Sequence, residues 1–198
     1  MGNEQKATFG AWVAATGTVI AAIGSTPIKR IPRETLNSFN LIGNELQATG
    51  SALSADAIKE FTLTKVGNGL QAIGNVIVIA GIVRGYSDII ERELIIKGNL
   101  VQALGASTAL ADSFNEEHTV EELFSIYGNL LKAIGNSLQA IAVILELNDR
   151  DSGNLYAIGS WIQAIGAIIS ALAQSKKSST RCCFTYSHYG NIVRMDSQ

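Results

Sequence analysis

The chain has 198 residues, of which 47% are hydrophobic and only 16% charged, and its formal net charge is −2 at pH 7. No basic stripe runs along it, which argues against a nucleic-acid partner. Its two cysteines, Cys182 and Cys183, are adjacent, which excludes both a disulfide framework and a C-x-x-C redox pair.

The first segment carries Gly10, Gly17 and Gly24 and has no charge from residue 7 to residue 28. It shares its glycine spacing with the rest of the chain, so it reads as part of the fold and not as a cleavable leader. Lys6 stands where a myristoylation signal needs Ser or Thr. Both prolines, Pro27 and Pro32, fall in the stretch Ser25–Arg33, the clearest break in the chain. Gly43 and Gly50 follow, then Gly67, Gly74 and Gly81 within Val66–Val83, which holds 18 residues without a charge. Asp88 and Glu91 read as a helix start ahead of Gly98 and Gly105. After an acidic connection (Asp112, Glu116, Glu117), Thr119-x-x-Glu122 forms a capping box ahead of Gly128 and Gly135. Asn148–Gly153 is a polar turn, in which Asp149–Gly153 lacks the acidic pattern of a calcium loop. Gly159 and Gly166 lie in Ser152–Ser175, 24 residues without a charge. From Lys176 the heptad stops, and we divide the chain into a helical repeat domain, 1–175, and a separate mobile tail, 176–198.

Fourteen of the nineteen glycines thus stand seven residues apart in six clusters. In a strand, an odd step flips the face, whereas in a helix seven residues are close to two turns, so the glycines form a stripe. Each glycine weakens a helix by about 1 kcal/mol relative to alanine. Close backbone approach has to offset that, because small residues let two helices sit nearer than the usual 8–10 Å. The expected fold is therefore all-α, a six-helix up-and-down bundle or short repeat stack with six tight seams. The residues we place at the seams are Gly17, Gly50, Gly74, Gly105, Gly135 and Gly166.

The clusters begin at offsets of 33, 24, 31, 30 and 31 residues, which fits one helix of roughly 20–25 residues plus a turn. The inner units read G-N-x-L-Q-A-I-G, as in Gly67-Asn68-Gly69-Leu70-Gln71-Ala72-Ile73-Gly74. The outer units place the only two tryptophans, Trp12 and Trp161, in one slot, as caps on the ends of a stack. With glycine at position a, the b and e positions form a polar Asn/Gln strip and c, d and g a wide apolar side. Lys132 and Glu146 occupy e positions, and a charge is rarely buried unpaired, so e is expected to face water and the apolar side the core.

These units resemble a family of repetitive bacterial proteins of unknown function, over roughly Phe9 to Gln174. The resemblance implies all-helical repeats and a bacterial source, and it carries no activity and no functional residue.

Two segments are long enough to cross a bilayer. Against this, Asn and Gln recur in the inner units, and a six-span topology puts seven Lys or Arg on each side, with no orientation bias. An inside-out packing, with Gly, Asn, Gln and Ala central and Leu and Ile toward lipid, would nonetheless satisfy membrane rules. There is no phosphate loop and no G-x-S-x-G elbow; His118 reads as a solvated loop residue. We therefore expect a non-enzymatic structural or interaction protein, cytoplasmic or peripheral to a membrane, that self-associates or binds partner helices. It needs no cofactor, metal or small-molecule substrate. The alternative is a membrane-inserting or membrane-active helical protein, a pore-like oligomer.

Overall fold

The computed structural model describes residues 2–83, 85–116 and 119–195, with side chains as far as residue 179. It contains six helices: α1 Asn3–Ser25, α2 Arg33–Ala57, α3 Leu63–Ile82, α4 Asp88–Ser113, α5 Val120–Leu147 and α6 Leu155–Met195. Among the described residues there is no strand.

The boundaries follow local chemistry. Pro32, at φ −56°, is the N-cap of α2, where its missing N–H costs nothing. Thr62 and Thr119 cap α3 and α5, their hydroxyls accepting from the amides of Lys65 and Glu122 at 3.1 Å each. Ser87, one residue before the expected Asp88, is the N-cap position of α4 and makes no side-chain cap bond. The α5–α6 turn places Asp149 and Gly153 at φ 55° and 54°, a left-handed conformation that stops the helix. No break occurs at Ser175: α6 runs on, and Lys177 pairs with Glu122 at 2.5 Å while Lys176 lies over the Phe124 ring. The side chains of Cys182 and Cys183, and the whole of His118, lie outside the described residues.

Each helix lies against the next along the chain and α6 lies against α1, and among the described residues no two helix backbones approach across the centre, which only side chains span. The six helices therefore close into a ring. Neighbours run antiparallel: Gly10 faces Gly50 while Gly17 faces Gly43. The first and last units meet, so there are no open ends to cap. Trp12 and Trp161 instead stand on the closing α1–α6 interface, donating from Nε1 to Ser175 Oγ at 2.9 Å and to Thr26 Oγ1 at 3.0 Å.

The expected orientation of the helices is reversed. The buried hydrophobic residues are nearly all alanine, joined inside by Asn44, Gln47, Gln71, Asn75, Asn99, Gln102, Asn136, Gln139 and Gln163. The large apolar side chains lie outside, among them Ile73, Leu100, Leu104, Ile134, Ile158 and Ile165. The physical reason is the glycine stripe. Glycines that draw helices together face the hairpin partner, and the e and b positions follow on one side of the wheel, about 40° and 100° round, which turns them to the ring's centre. The side-chain N–H groups of three buried asparagines are engaged within their own helices, Asn44, Asn75 and Asn99 each donating to the carbonyl four residues back at 2.8–2.9 Å.

Candidate functional site: a polar lumen inside the ring

Two features of the interior bear on function, the glycine contacts and the space they enclose. A Cβ on Gly17 would lie 2.6 Å from the Gly43 carbonyl oxygen, and one on Gly50 2.4 Å from that of Gly10. On Gly74 it would lie 2.7 Å from the Gly98 oxygen, and on Gly105 2.6 Å from the Gly67 oxygen. On Gly135 and Gly166 it would lie 2.6 Å from the oxygens of Gly159 and Gly128. These six residues do not form one site. They fall in three interfaces, α1–α2, α3–α4 and α5–α6, rather than in six.

The inward polar positions line a cavity of about 680 Å³. It begins where ends of α1 to α5 meet beside α6, with Ser54, Thr64, Asp112, Glu116, Glu121, Glu122 and Lys177 around the mouth, and runs to the mid-helix residues Gln47, Gln71, Gln102, Lys132 and Gln163. Glu116 and Thr119, both at the mouth, are exposed, so it is open to solvent.

The mouth carboxylates are engaged. Asp112 Oδ2 accepts from the Thr64 amide at 2.9 Å and from its hydroxyl at 2.6 Å, at the N-terminus of α3 where a negative charge is favoured. Glu122, 4% exposed, is paired with Lys177.

At mid-depth the amides form a cross-lumen layer. Gln163 Nε2 donates to Gln47 Oε1 at 2.9 Å and to Gln102 Oε1 at 3.1 Å, and Gln163 Oε1 accepts from Gln139 Nε2 at 2.9 Å. One side chain thus links α2, α4, α5 and α6. From α5, Lys132 Nζ donates to Gln71 Oε1 of α3 at 3.2 Å. Lys132 stands where Gln47, Gln71, Gln102 and Gln163 stand in their own helices, and among the described residues it has no carboxylate partner. Gln71 Nε2, Asn75 Oδ1 and Ser170 Oγ are buried at the cavity wall without a hydrogen bond.

Sequence reasoning missed the lumen, although its signal was present: a glutamine recurring at e, with one lysine among them. Among the described residues no three His, Cys, Asp or Glu side chains converge as a metal site requires. Five helices, all but α2, are long and apolar enough to cross a membrane. The sixth, α2, holds the exposed Glu45 at mid-length.

Neither the curated proteins nor the solved structures give a match to the chain. Residues 5–171 match the model of a family of unknown function, DUF6944, and the ring with its lumen falls almost wholly within that span. The chain belongs to that family.

Proposed function

We propose that the protein is a membrane-embedded ring of helices whose polar lumen forms a pore-like path, closed at the glutamine layer, and that it is not an enzyme. The observation that carries this reading is the reversed surface. Large aliphatic residues stand outside and amides inside, the order that a bilayer rewards and water penalises. Soluble monomers rarely expose contiguous apolar area on this scale. Several polar side chains bond in a way that suits lipid, Asn44, Ser137, Ser160 and Ser175 each donating to the carbonyl four residues back on their own helix.

In this reading the paired glycines set the ring's diameter by holding each hairpin at backbone contact. The lumen supplies amides and hydroxyls in place of water for a solute entering from the mouth. Gln163, bonded to three other helices, closes the path at mid-depth.

Self-association finds separate support in α2, whose outward side is mixed, with Glu45 exposed between Ile42 and Thr49. A charge facing lipid costs about 2.5–3.5 kcal/mol at mid-bilayer, so this side is better placed against a second copy. A cysteine at position 45 is then expected to cross-link two copies, whereas one at position 73 is not.

The deciding experiment separates the expressed protein into soluble and membrane pools and washes the membranes with alkaline carbonate. Resistance to the wash, with ion flux through liposomes carrying the purified protein, is the expected result. Protein that stays in the supernatant as a folded species overturns membrane insertion and restores a soluble interaction role.

A further inference from the structure

We propose that the lumen holds a binding site for a small monovalent anion, a halide or a short carboxylate, centred on the Lys132 ammonium and the side-chain amide nitrogen of Gln71. This inference requires the lumen but not the bilayer.

Three observations converge. Lys132 projects its charge into an enclosed polar cavity, and among the described residues its hydrogen-bond partner is the neutral Gln71 carbonyl at 3.2 Å. An ammonium has three donors and this contact uses one, so two remain for an acceptor. Gln71, 7% exposed, turns its Oε1 to Lys132 and leaves Nε2 on the same amide buried and unbonded at the cavity wall. A donor left unpaired in such a place calls for an acceptor. The two free donor groups therefore adjoin, one charged and one neutral, as an anion requires and a cation does not.

The carboxylates do not supply the missing charge. Glu122 is ten residues from Lys132 on α5, about 15 Å at 1.5 Å per residue. That is well beyond the reach of a direct ion pair, and Glu122 is already paired with Lys177. Asp112 is held by Thr64 at the mouth. The tight α5–α6 contact, where a Cβ on Gly166 would lie 2.8 Å from the Lys132 amide nitrogen, fixes the backbone from which Lys132 projects. Lys132 then also determines selectivity, since an uncompensated ammonium at mid-depth repels cations that pass the acidic mouth.

The test is ³⁵Cl NMR line broadening by the purified full-length protein titrated with sodium chloride, with sodium acetate as competitor. Wild type is expected to broaden the chloride line beyond the buffer or detergent control, and acetate to reverse it. Lys132→Gln is expected to weaken chloride about tenfold or more, the scale of a hydrogen bond to a charged group. Lys132→Arg keeps the effect, as does Lys29→Gln in the exposed α1–α2 connection. No excess broadening by wild type overturns the proposal, whether or not the Lys132 variants fold. Broadening that Lys132→Gln leaves unchanged in a protein of native helicity also overturns it. Because the readout is binding in solution, a protein that proves soluble can still pass, and a membrane-inserted one can still fail.

Discussion

The interfaces around the ring are of two kinds. Within the hairpins α1–α2, α3–α4 and α5–α6, glycines of one helix face backbone of the other, so closely that a Cβ would sit 2.4–2.7 Å from the facing carbonyl at Gly50, Gly17 and Gly98. Between hairpins, side chains meet instead. Trp12 and Trp161 reach across α1–α6, Arg92 meets Glu146 across α4–α5 at 3.4 Å, and Lys65 on α3 donates to the Ile58 carbonyl at the end of α2 at 2.7 Å. The difference identifies the building unit. It is not the single helix of the roughly 31-residue sequence period but the hairpin of two, and three hairpins close the ring. Backbone contact makes each hairpin narrow; side-chain contact between hairpins leaves room for a lumen.

The largest way to break that distinction is to fill a glycine contact. Gly50→Leu puts four carbons where the Ala14 amide nitrogen and the Gly10 oxygen already stand 2.4 Å from the first of them. Neither is the end of a flexible side chain, so the helices have to separate. We expect a loss of more than about 4 kcal/mol, the exceptional end of single-substitution effects, read as lost helicity or aggregation by circular dichroism and size exclusion. Full retention of Tm and size would remove the glycines from any structural role.

A smaller effect tests inside against outside. Ile73 is 55% exposed at the middle of α3, one residue from Gly74. Ile73→Lys is expected to cost about 2.5–3.5 kcal/mol if that side faces hydrocarbon, read as loss of the alkali-resistant fraction. In a water-soluble ring the same change sits on the surface, leaves stability within about 0.5 kcal/mol of wild type and raises solubility.

The contrast between interfaces also explains what was legible in the sequence. The glycine period fixed helices, their number and their breaks, because a seven-residue step has no meaning on a strand and Pro27 and Pro32 mark one turn. Orientation was legible only as a pair of alternatives, and the inside-out packing stood as the second of them. Lys132 was placed toward water because lone charges avoid the interior, and the cavity shows the third option, an interior that is itself polar. Ring closure was not legible. Nothing local in Trp12 or Trp161 says that a residue 163 positions away, Ser175, receives the indole N–H. That contact exists only once all six helices are assembled.

The glutamine layer ranks next. Gln163→Leu removes hydrogen bonds to Gln47, Gln102 and Gln139 together and leaves their amides short of partners inside the lumen. Buried groups left unpaired cost about 1–3 kcal/mol each, lessened where the cavity admits water. We expect a loss of about 2 kcal/mol and a higher flux through liposomes than wild type gives. A stable variant with unchanged flux would leave the ring in place and remove Gln163 as its closure.

The interface between hairpins offers a milder break. Trp161→Phe keeps the ring's apolar body and deletes the N–H that donates to Thr26 Oγ1. The expected loss is about 1 kcal/mol, a single hydrogen bond at a half-exposed site, seen as a lower Tm with the oligomeric state unchanged.

The smallest effect has the opposite sign and sharpens the comparison most. Gly69 lies in α3 two residues from Gly67, yet a Cβ added to it meets nothing within 4 Å, whereas one on Gly67 would stand 2.5 Å from the Gly105 oxygen. Both are helical glycines with the same intrinsic penalty. Gly69→Ala therefore gains the full helix propensity, up to about 1 kcal/mol, and Gly67→Ala, which gains the same term, loses more to the facing backbone. Thermal melts of the two variants subtract propensity from packing within one turn of one helix. A rise for Gly69→Ala beside a fall for Gly67→Ala assigns the glycine cost to helix contact, and equal shifts would assign it to the chain's own backbone.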